Sequence, residues 1–301
     1  MEQFIAELKQ TEVGDVFLQK SLAEYTTWKI GGPADVLVIP GSKEHLVTLI
    51  RLLRKHGVPW TNIGRGSNML ISDKGIRGVV IKPGKQFDYV QFDGTLVHAG
   101  AAYSFIKLSV MAGKEGLTGL EFAGGIPGAV GGAVYMNAGA HGSDVSRIFK
   151  SAEIVLETGE LVHYGPEDMK FSYRHSVLHE QPGIIVSATF QLQESDREEI
   201  AASMAVLKAR RLRTQPLSLA TAGSTFRNPP NDFAARLIQE AGLKGLRSGG
   251  AVVSTQHANF IVNTGQATAD DVLTLMATIK STVKDRFGID LVPEVLVVGE
   301  R

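Results

Sequence analysis

Two glycine-rich stretches are where this sequence offers chemistry to a ligand. The first, Gly64-Arg65-Gly66-Ser67-Asn68-Met69-Leu70, lies between two segments that read as strands. Glycine accepts positive φ and leaves backbone N–H groups uncovered, so such a turn can wrap a phosphate, with Ser67 and Asn68 adding side-chain donors. It is not the dinucleotide fingerprint, because Met stands at position 69, and no Walker lysine follows. On its own a turn of this kind is more often only a turn. The second stretch runs from Phe122 to Ala133, with Gly124, Gly125, Gly128, Gly131 and Gly132 set around Ile126 and Pro127. Flexibility alone does not need a proline, which fixes φ and stiffens the chain. The composition suits backbone held close to a flat or extended ligand. Asn137-Ala138-Gly139-Ala140-His141-Gly142 continues the small-residue surface. Close helix–strand packing selects the same residue types, but two such loops about sixty residues apart favour a large dinucleotide.

Other chemistries are poorly represented. There is no cysteine, which removes disulfides, thiolate metal sites and a cysteinyl link to a cofactor. The 8 histidines show no metal spacing such as H-E-x-x-H, so no metal site is expected. Ala222-Gly223-Ser224-Thr225-Phe226 does not fit the G-x-S-x-G nucleophile elbow. Lys plus Arg and Asp plus Glu both total 31, so nothing global draws the chain to nucleic acid or an anionic membrane. The amino end lacks the basic start and apolar run of a secretory signal, and no apolar stretch approaches the roughly 18 residues of a membrane span. The expectation is a cytoplasmic protein without nucleic-acid partner or membrane insertion.

The elements that must position these loops read as follows. Ala34 to Pro40 is a buried strand closed by proline; a helix follows, N-capped by Ser42 and ended at Gly57, with Leu46, Leu49, Ile50 and Leu53 as its apolar stripe. Strands follow around Trp60–Ile63 and Ile76–Ile81. From Phe87 to about Gln193 short strands dominate, clearest at 97–100, 152–156 and 184–192, with few helices. Ser195 with Glu198 reads as a capping box for a helix over 200–213, whose last turn is basic. Thr268 with Asp271 opens a second helix carrying Val272, Leu275, Met276, Ile279 and Val283, ended by Gly288. A domain boundary is expected near residue 195, the alternative being one continuous domain.

Thr27-Trp28-Lys29-Ile30-Gly31-Gly32-Pro33-Ala34, with the two glycine loops, resembles the UDP-N-acetylenolpyruvoylglucosamine reductases. The resemblance runs from about Tyr25 to Val297 and implies an α+β fold of the vanillyl-alcohol-oxidase (PCMH) type. Two FAD-holding subdomains, about 1–83 and 84–195, are expected before a carboxy-terminal α+β substrate domain over 196–301. It implies non-covalent FAD, with NADPH as co-substrate. The first loop, Gly64 to Asn68, would hold the pyrophosphate. Gly124, Gly125, Ile126 and Gly128 would lie along the flavin, with Asn137 and Gly139 beside them.

The same resemblance assigns Ser224 as proton donor, and Arg174 and Glu294 to the substrate carboxylate. The chemistry makes those types intelligible. An enolpyruvyl ether is a double bond conjugated to a carboxylate, and hydride arriving at its terminal carbon pushes negative charge onto the carboxylate oxygens. A guanidinium fixed there stabilises charge that grows in the transition state. A neutral Glu294, its pKa raised by burial, would donate to the same oxygens. The carbanion-like centre is basic enough to take a proton from a well-placed serine hydroxyl.

Tyr173 beside that arginine is expected at the substrate, and Arg210, Arg213, Arg227 and Asn228 at the UDP diphosphate, since arginine forks match phosphate geometry. A basic last helical turn at Arg210 and Arg213 also serves the macrodipole. Some members of the family carry a tyrosine-loop insertion over the substrate. Here only 50 residues separate Arg174 from Ser224, which places the chain in the shorter subgroup. The function implied is reduction of the enolpyruvyl ether of UDP-N-acetylglucosamine-enolpyruvate in peptidoglycan synthesis. The alternatives are another FAD oxidoreductase of this fold, or a flavin-binding subunit without its own substrate site; neither needs the Arg174, Ser224 and Glu294 set.

Overall fold

Local caps fix the first long helix. Ser42 accepts a hydrogen bond from the His45 N–H at 3.2 Å, and helix Lys43–His56 ends where Gly57 turns left-handed at φ 60°. Its stripe of Leu46, Leu49, Ile50 and Leu53 is buried against Phe4, Val36, Val38 and Val79.

The computed structural model describes residues 1–300, which fall into two compact units. The first comprises residues 1–18, 36–65 and 78–209; the second comprises 19–35, 66–77 and 210 to the carboxy end. The chain passes from one unit to the other several times. Strands Asp15–Ser21, Pro33–Ile39, Ile76–Ile81 and Trp60–Asn62 form one sheet in that order, and the chain passes between units within the first three.

In the first unit a five-stranded antiparallel sheet has the order Val90–Asp93, Leu96–Gly100, Gly183–Gln191, Phe149–Leu156, Leu161–Tyr164. Strand Gly183–Gln191 is buried on both faces. Ile184 and Val186 join the core around helix Lys43–His56, while Ile185, Ala188 and Phe190 join a second core with Phe105, Leu108 and Phe122. A register shift where Glu153 pairs with Ser187 but Ile154 with Ile185 changes the parity and lets one strand serve both cores.

Helix Phe105–Lys114 was not anticipated. Ser104 caps it, and Phe105, Leu108 and Ala112 face the core. Its β-branched Ile106 and Val110 and its Gly113 weaken the local helical signal. Helix Arg197–Thr214 starts from a different cap than expected. Asp196 Oδ1 accepts from the N–H groups of Glu198 and Glu199 at 2.8 and 3.1 Å. The Ser195 N–H pairs with the Gly116 carbonyl. A carboxylate there also complements the helix dipole.

The second unit is built on strands Arg247–Ser248, Ala251–Val253 and Ile261–Asn263, with helices Ala234–Glu240 and Ala269–Phe287. Thr268 and Asp271 form the expected capping box, and Gly288 ends the helix left-handed. The Asp73 carboxylate also accepts from the Ala269 and Asp270 N–H groups at 2.8 and 3.1 Å. Trp28 explains why amino-terminal residues belong here. It is fully buried with Phe226, Leu237, Ile261 and Leu275. Its Nε1 donates to the Ile261 carbonyl at 2.8 Å, and Asn263 Nδ2 donates to the Trp28 carbonyl at 2.9 Å. Strand Met69–Ile71 pairs in parallel with Leu296–Val298. Among the described residues, no helix is long and apolar enough to cross a membrane.

Candidate active site

Within the first unit Gly64, at the start of the first glycine loop, adjoins Ala129 of the second. A Cβ added at Gly64 would meet only the Ala129 Cβ, at 3.8 Å, and one at Gly132 would meet nothing within 4 Å. Neither glycine has positive φ. Neither packing nor conformation therefore requires glycine there, whereas a group lying against the backbone would. Gly66 differs: at φ 60° a Cβ would fall 2.2 Å from the Tyr25 carbonyl oxygen. Among the described residues, the N–H groups of Arg65, Gly66, Ser67 and Asn68 donate to no protein acceptor. Such a turn can take a diphosphate.

The second loop is laid along residues 101–105. Phe105 N–H donates to the Gly128 carbonyl, Val130 N–H to Tyr103, and Gly131 N–H to Ala101, at 3.0, 2.9 and 2.9 Å. Gly124 and Gly125 end a 3₁₀ turn over Glu121–Gly125, and the Ile126 N–H closes onto Ala123. A Cβ at Gly124 would meet Met204 Cε and Ser109 Oγ, both at 3.4 Å, so the room for a flat ring lies at Gly64 and Gly132. With the unused amides of residues 65–68 for phosphates, these residues fit FAD.

Two residues expected at the cofactor also have protein duties. A Cβ at Gly139 would lie 2.6 Å from the Ser143 carbonyl oxygen across a tight pairing, so packing accounts for that glycine. Asn137 is buried, and both ends of its side-chain amide are used. Nδ2 donates to the Ser172 carbonyl at 3.0 Å, and Oδ1 accepts from the Ser146 N–H at 2.9 Å.

What Asn137 holds is the arginine turn. Ser172 and His175 exchange both backbone hydrogen bonds at 3.2 Å, which puts Tyr173 and Arg174 at a two-residue tip. Arg174 has φ 57°, left-handed backbone that costs a Cβ-bearing residue about 1 kcal/mol. Ser176 Oγ donates to the Tyr135 carbonyl at 2.7 Å, a second tie on the same segment. The Arg174 guanidinium lies 5.1 Å from the centre of the exposed Tyr173 ring, a cation–π distance that limits its swing.

The second unit brings the serine and glutamate segments together. Glu294 N–H donates to the Thr225 carbonyl and Arg227 N–H to the Val292 carbonyl, both at 2.8 Å, with Phe226 opposite Pro293. Asn259, whose importance the sequence did not reveal, clamps the serine side. Its Oδ1 accepts from the Phe226 N–H at 2.9 Å, its Nδ2 donates to the Phe226 carbonyl at 2.8 Å, and its own carbonyl accepts from Thr225. Asn68 holds the glutamate side through the Glu294 carbonyl. Ser224 and Glu294 are thus both partly buried neighbours of a clamped backbone.

The expected diphosphate residues divide. Arg227 Nε is buried with no protein partner among the described residues. Asn228 Oδ1 accepts from the Ala234 N–H at 3.1 Å, while Arg210 and Arg213 are exposed. Arg211 was passed over, yet it is the half-buried member of its run, with Gln215 Oε1 at 3.0 Å as its hydrogen-bond partner and burial pushing its pKa down. Arg211 continues the less exposed stripe of Ile200, Met204 and Leu207 along its helix, and that helical spacing is the signal that singles it out. No group of three or more metal-ligating side chains occurs among the described residues.

Residues 34–165 match the model of an FAD-binding domain, and residues 215–298 that of the carboxy-terminal domain of UDP-N-acetylenolpyruvoylglucosamine reductase. The chain is 52% identical over 302 residues to the reductase of that name from Bacillus licheniformis, covering 100% of both chains. It is 50% identical to the one from Bacillus subtilis, covering 99% of each. The solved reductase from Thermus caldophilus is 37% identical with a TM-score of 0.81, over 94% of this chain and 98% of that one. The pollen protein Phl p 4.0202, a glucose dehydrogenase, is 13% identical with a TM-score of 0.51, over 96% of this chain and 63% of that one, and shares only the fold. The fold is the expected α+β, vanillyl-alcohol-oxidase-type arrangement. Matches of this degree span the whole chain, and the chain belongs to the UDP-N-acetylenolpyruvoylglucosamine reductase family.

Proposed function

We propose that this protein reduces the enolpyruvyl ether of UDP-N-acetylglucosamine-enolpyruvate to UDP-N-acetylmuramate, in the cytoplasm, as a step of peptidoglycan synthesis with NADPH as reductant. Bound FAD supplies the hydride relay between the two substrates. Residues before about 195 take the cofactor, with Gly64 to Asn68 on its diphosphate, and Gly124, Gly125, Ile126 and Gly128 along the ring. Those from 196 onward take the nucleotide sugar, with Arg210, Arg213, Arg227 and Asn228 on its diphosphate, joined by Tyr173 from the arginine turn.

Arg174 pairs with the substrate carboxylate and stabilises the charge that grows there as the double bond is reduced. Glu294 acts on the same group, as a donor when its carboxyl carries a proton. Ser224 gives its hydroxyl proton to the carbon next to the carboxylate. The observation that carries this reading is the pairing of Glu294 N–H with the Thr225 carbonyl at 2.8 Å, which makes neighbours of the acid and of a second carboxylate-binding group. It is supported by the left-handed, doubly tied backbone of Arg174, since strain of this kind persists where a side chain must point one way. Mixing the purified protein with NADPH and the enolpyruvyl UDP-sugar tests it: NADPH absorbance falls only with both present. Loss of NADPH with other alcohols or amines instead marks a different oxidoreductase, and no loss at all marks a binding subunit.

A further inference from the structure

Lys82 stands one residue past strand Ile76–Ile81, half-buried in the first unit. Its Nζ reaches one protein acceptor, the Gly64 carbonyl oxygen, at a long 3.4 Å. No carboxylate pairs with it among the described residues. Burial pushes its pKa down, and the neighbouring Arg65 charge pushes the same way. Its neighbour Lys85, by contrast, is exposed to water. An ammonium withdrawn from water, beside a second cation and with one weak acceptor, is held at a cost unless an anion joins it.

The anion has an evident place. A Cβ at Gly64 would meet only the Ala129 Cβ, at 3.8 Å, and the Arg65 N–H is unused. Lysine suits such a spot better than arginine: it delivers a compact point charge to a phosphate oxygen without a planar fork. We infer that Lys82 is a binding residue for the diphosphate of the dinucleotide cofactor, its ammonium acting with Arg65. This rests on FAD being the cofactor. No glycine-loop motif identifies the residue, because it lies 18 positions after Gly64, just past another strand.

The test uses holoenzyme carrying Lys82→Met, which keeps the apolar stem and removes the charge, and Lys82→Arg, which keeps the charge. FAD release on dilution is followed by the rise in flavin fluorescence, at several KCl concentrations. A charge-assisted hydrogen bond to phosphate is worth about 1.5–3 kcal/mol, so Lys82→Met is expected to raise the FAD Kd about ten- to a hundredfold and to flatten its dependence on salt. Lys82→Arg stays within about fivefold of wild type, because an opposite charge is still in reach. Wild-type affinity in Lys82→Met overturns the inference, and so does an equal loss in both variants, which means packing rather than charge. Unchanged affinity with a shifted flavin reduction potential also overturns it, since the ammonium would then face the ring. Far-ultraviolet circular dichroism at saturating FAD checks folding, with the wild-type spectrum expected for both variants. Wild-type protein that is yellow and consumes NADPH with substrate upholds the parent reading, whatever Lys82 does.

Discussion

The Asn68 side-chain amide donates to the Glu294 carbonyl oxygen at 3.1 Å, and the Asn68 carbonyl accepts the Leu296 N–H at 3.0 Å. A residue of the first glycine loop therefore fixes the backbone that carries the candidate glutamate, 226 positions later. Asn68→Asp should separate this role from mere size. A carboxylate cannot donate to a carbonyl, so the aspartate variant should lose turnover at least as severely as Asn68→Ala. Both should lower kcat more than they raise the KM for NADPH. Steady-state rates with an FAD-content measurement check this; a fully active aspartate variant contradicts it.

Asn259 should matter through stability first. Its side chain satisfies both backbone groups of buried Phe226. Removing it strands two buried polar groups, each costing about 1–3 kcal/mol. Asn259→Ala should therefore lower the melting temperature by roughly 5–10 °C for a chain of this size. A thermal melt with FAD in excess reads it, and a shift under about 2 °C would show that water replaces the clamp.

Arg174→Lys should keep FAD and the fold but lose most turnover, because an ammonium cannot reproduce the planar two-point contact with a carboxylate. A lost charge-stabilising donor typically costs about a hundredfold. A lysine variant within about twofold of wild type would remove Arg174 from the transition state.

The flavin itself should leave the chain on acid precipitation, as FAD and in a ratio near one per chain. With no cysteine present, a cysteinyl link is impossible, so colour remaining in the pellet would point to a histidyl bond and overturn the non-covalent reading.

Much of this was legible where the determinants are local. Ser42, Gly57, Thr268, Asp271 and Gly288 cap helices as their types and spacing predict. Asp196 instead of Ser195 does so because two adjacent residues competed for one cap. Trp28 could not be placed from its neighbours, since the carbonyl it binds is 233 residues away. Nor does an asparagine announce its partner. Asn137, read as a cofactor contact, supports the arginine turn, and Asn259 gave no signal beyond lying in a strand-like stretch. The glycine loops read as ligand-facing from their composition, and neither packing nor positive φ demands glycine at Gly64 or Gly132, whereas the assignment of roles to Arg174, Ser224 and Glu294 came from the family.

The central claim is that Ser224 supplies a proton to carbon, and it separates the two halves of the catalytic cycle. Stopped-flow absorbance of the flavin follows each half alone: bleaching with NADPH, then return of colour with the enolpyruvyl UDP-sugar. No proton goes to carbon in the first half, so Ser224→Ala should bleach at close to the wild-type rate. In the second half it should recover colour about a hundredfold to ten-thousandfold more slowly, the range for a missing general acid. Recovery at the wild-type rate would mean that another group or a water is the acid, and equal slowing of both halves would mean that the substitution had damaged the cofactor site instead.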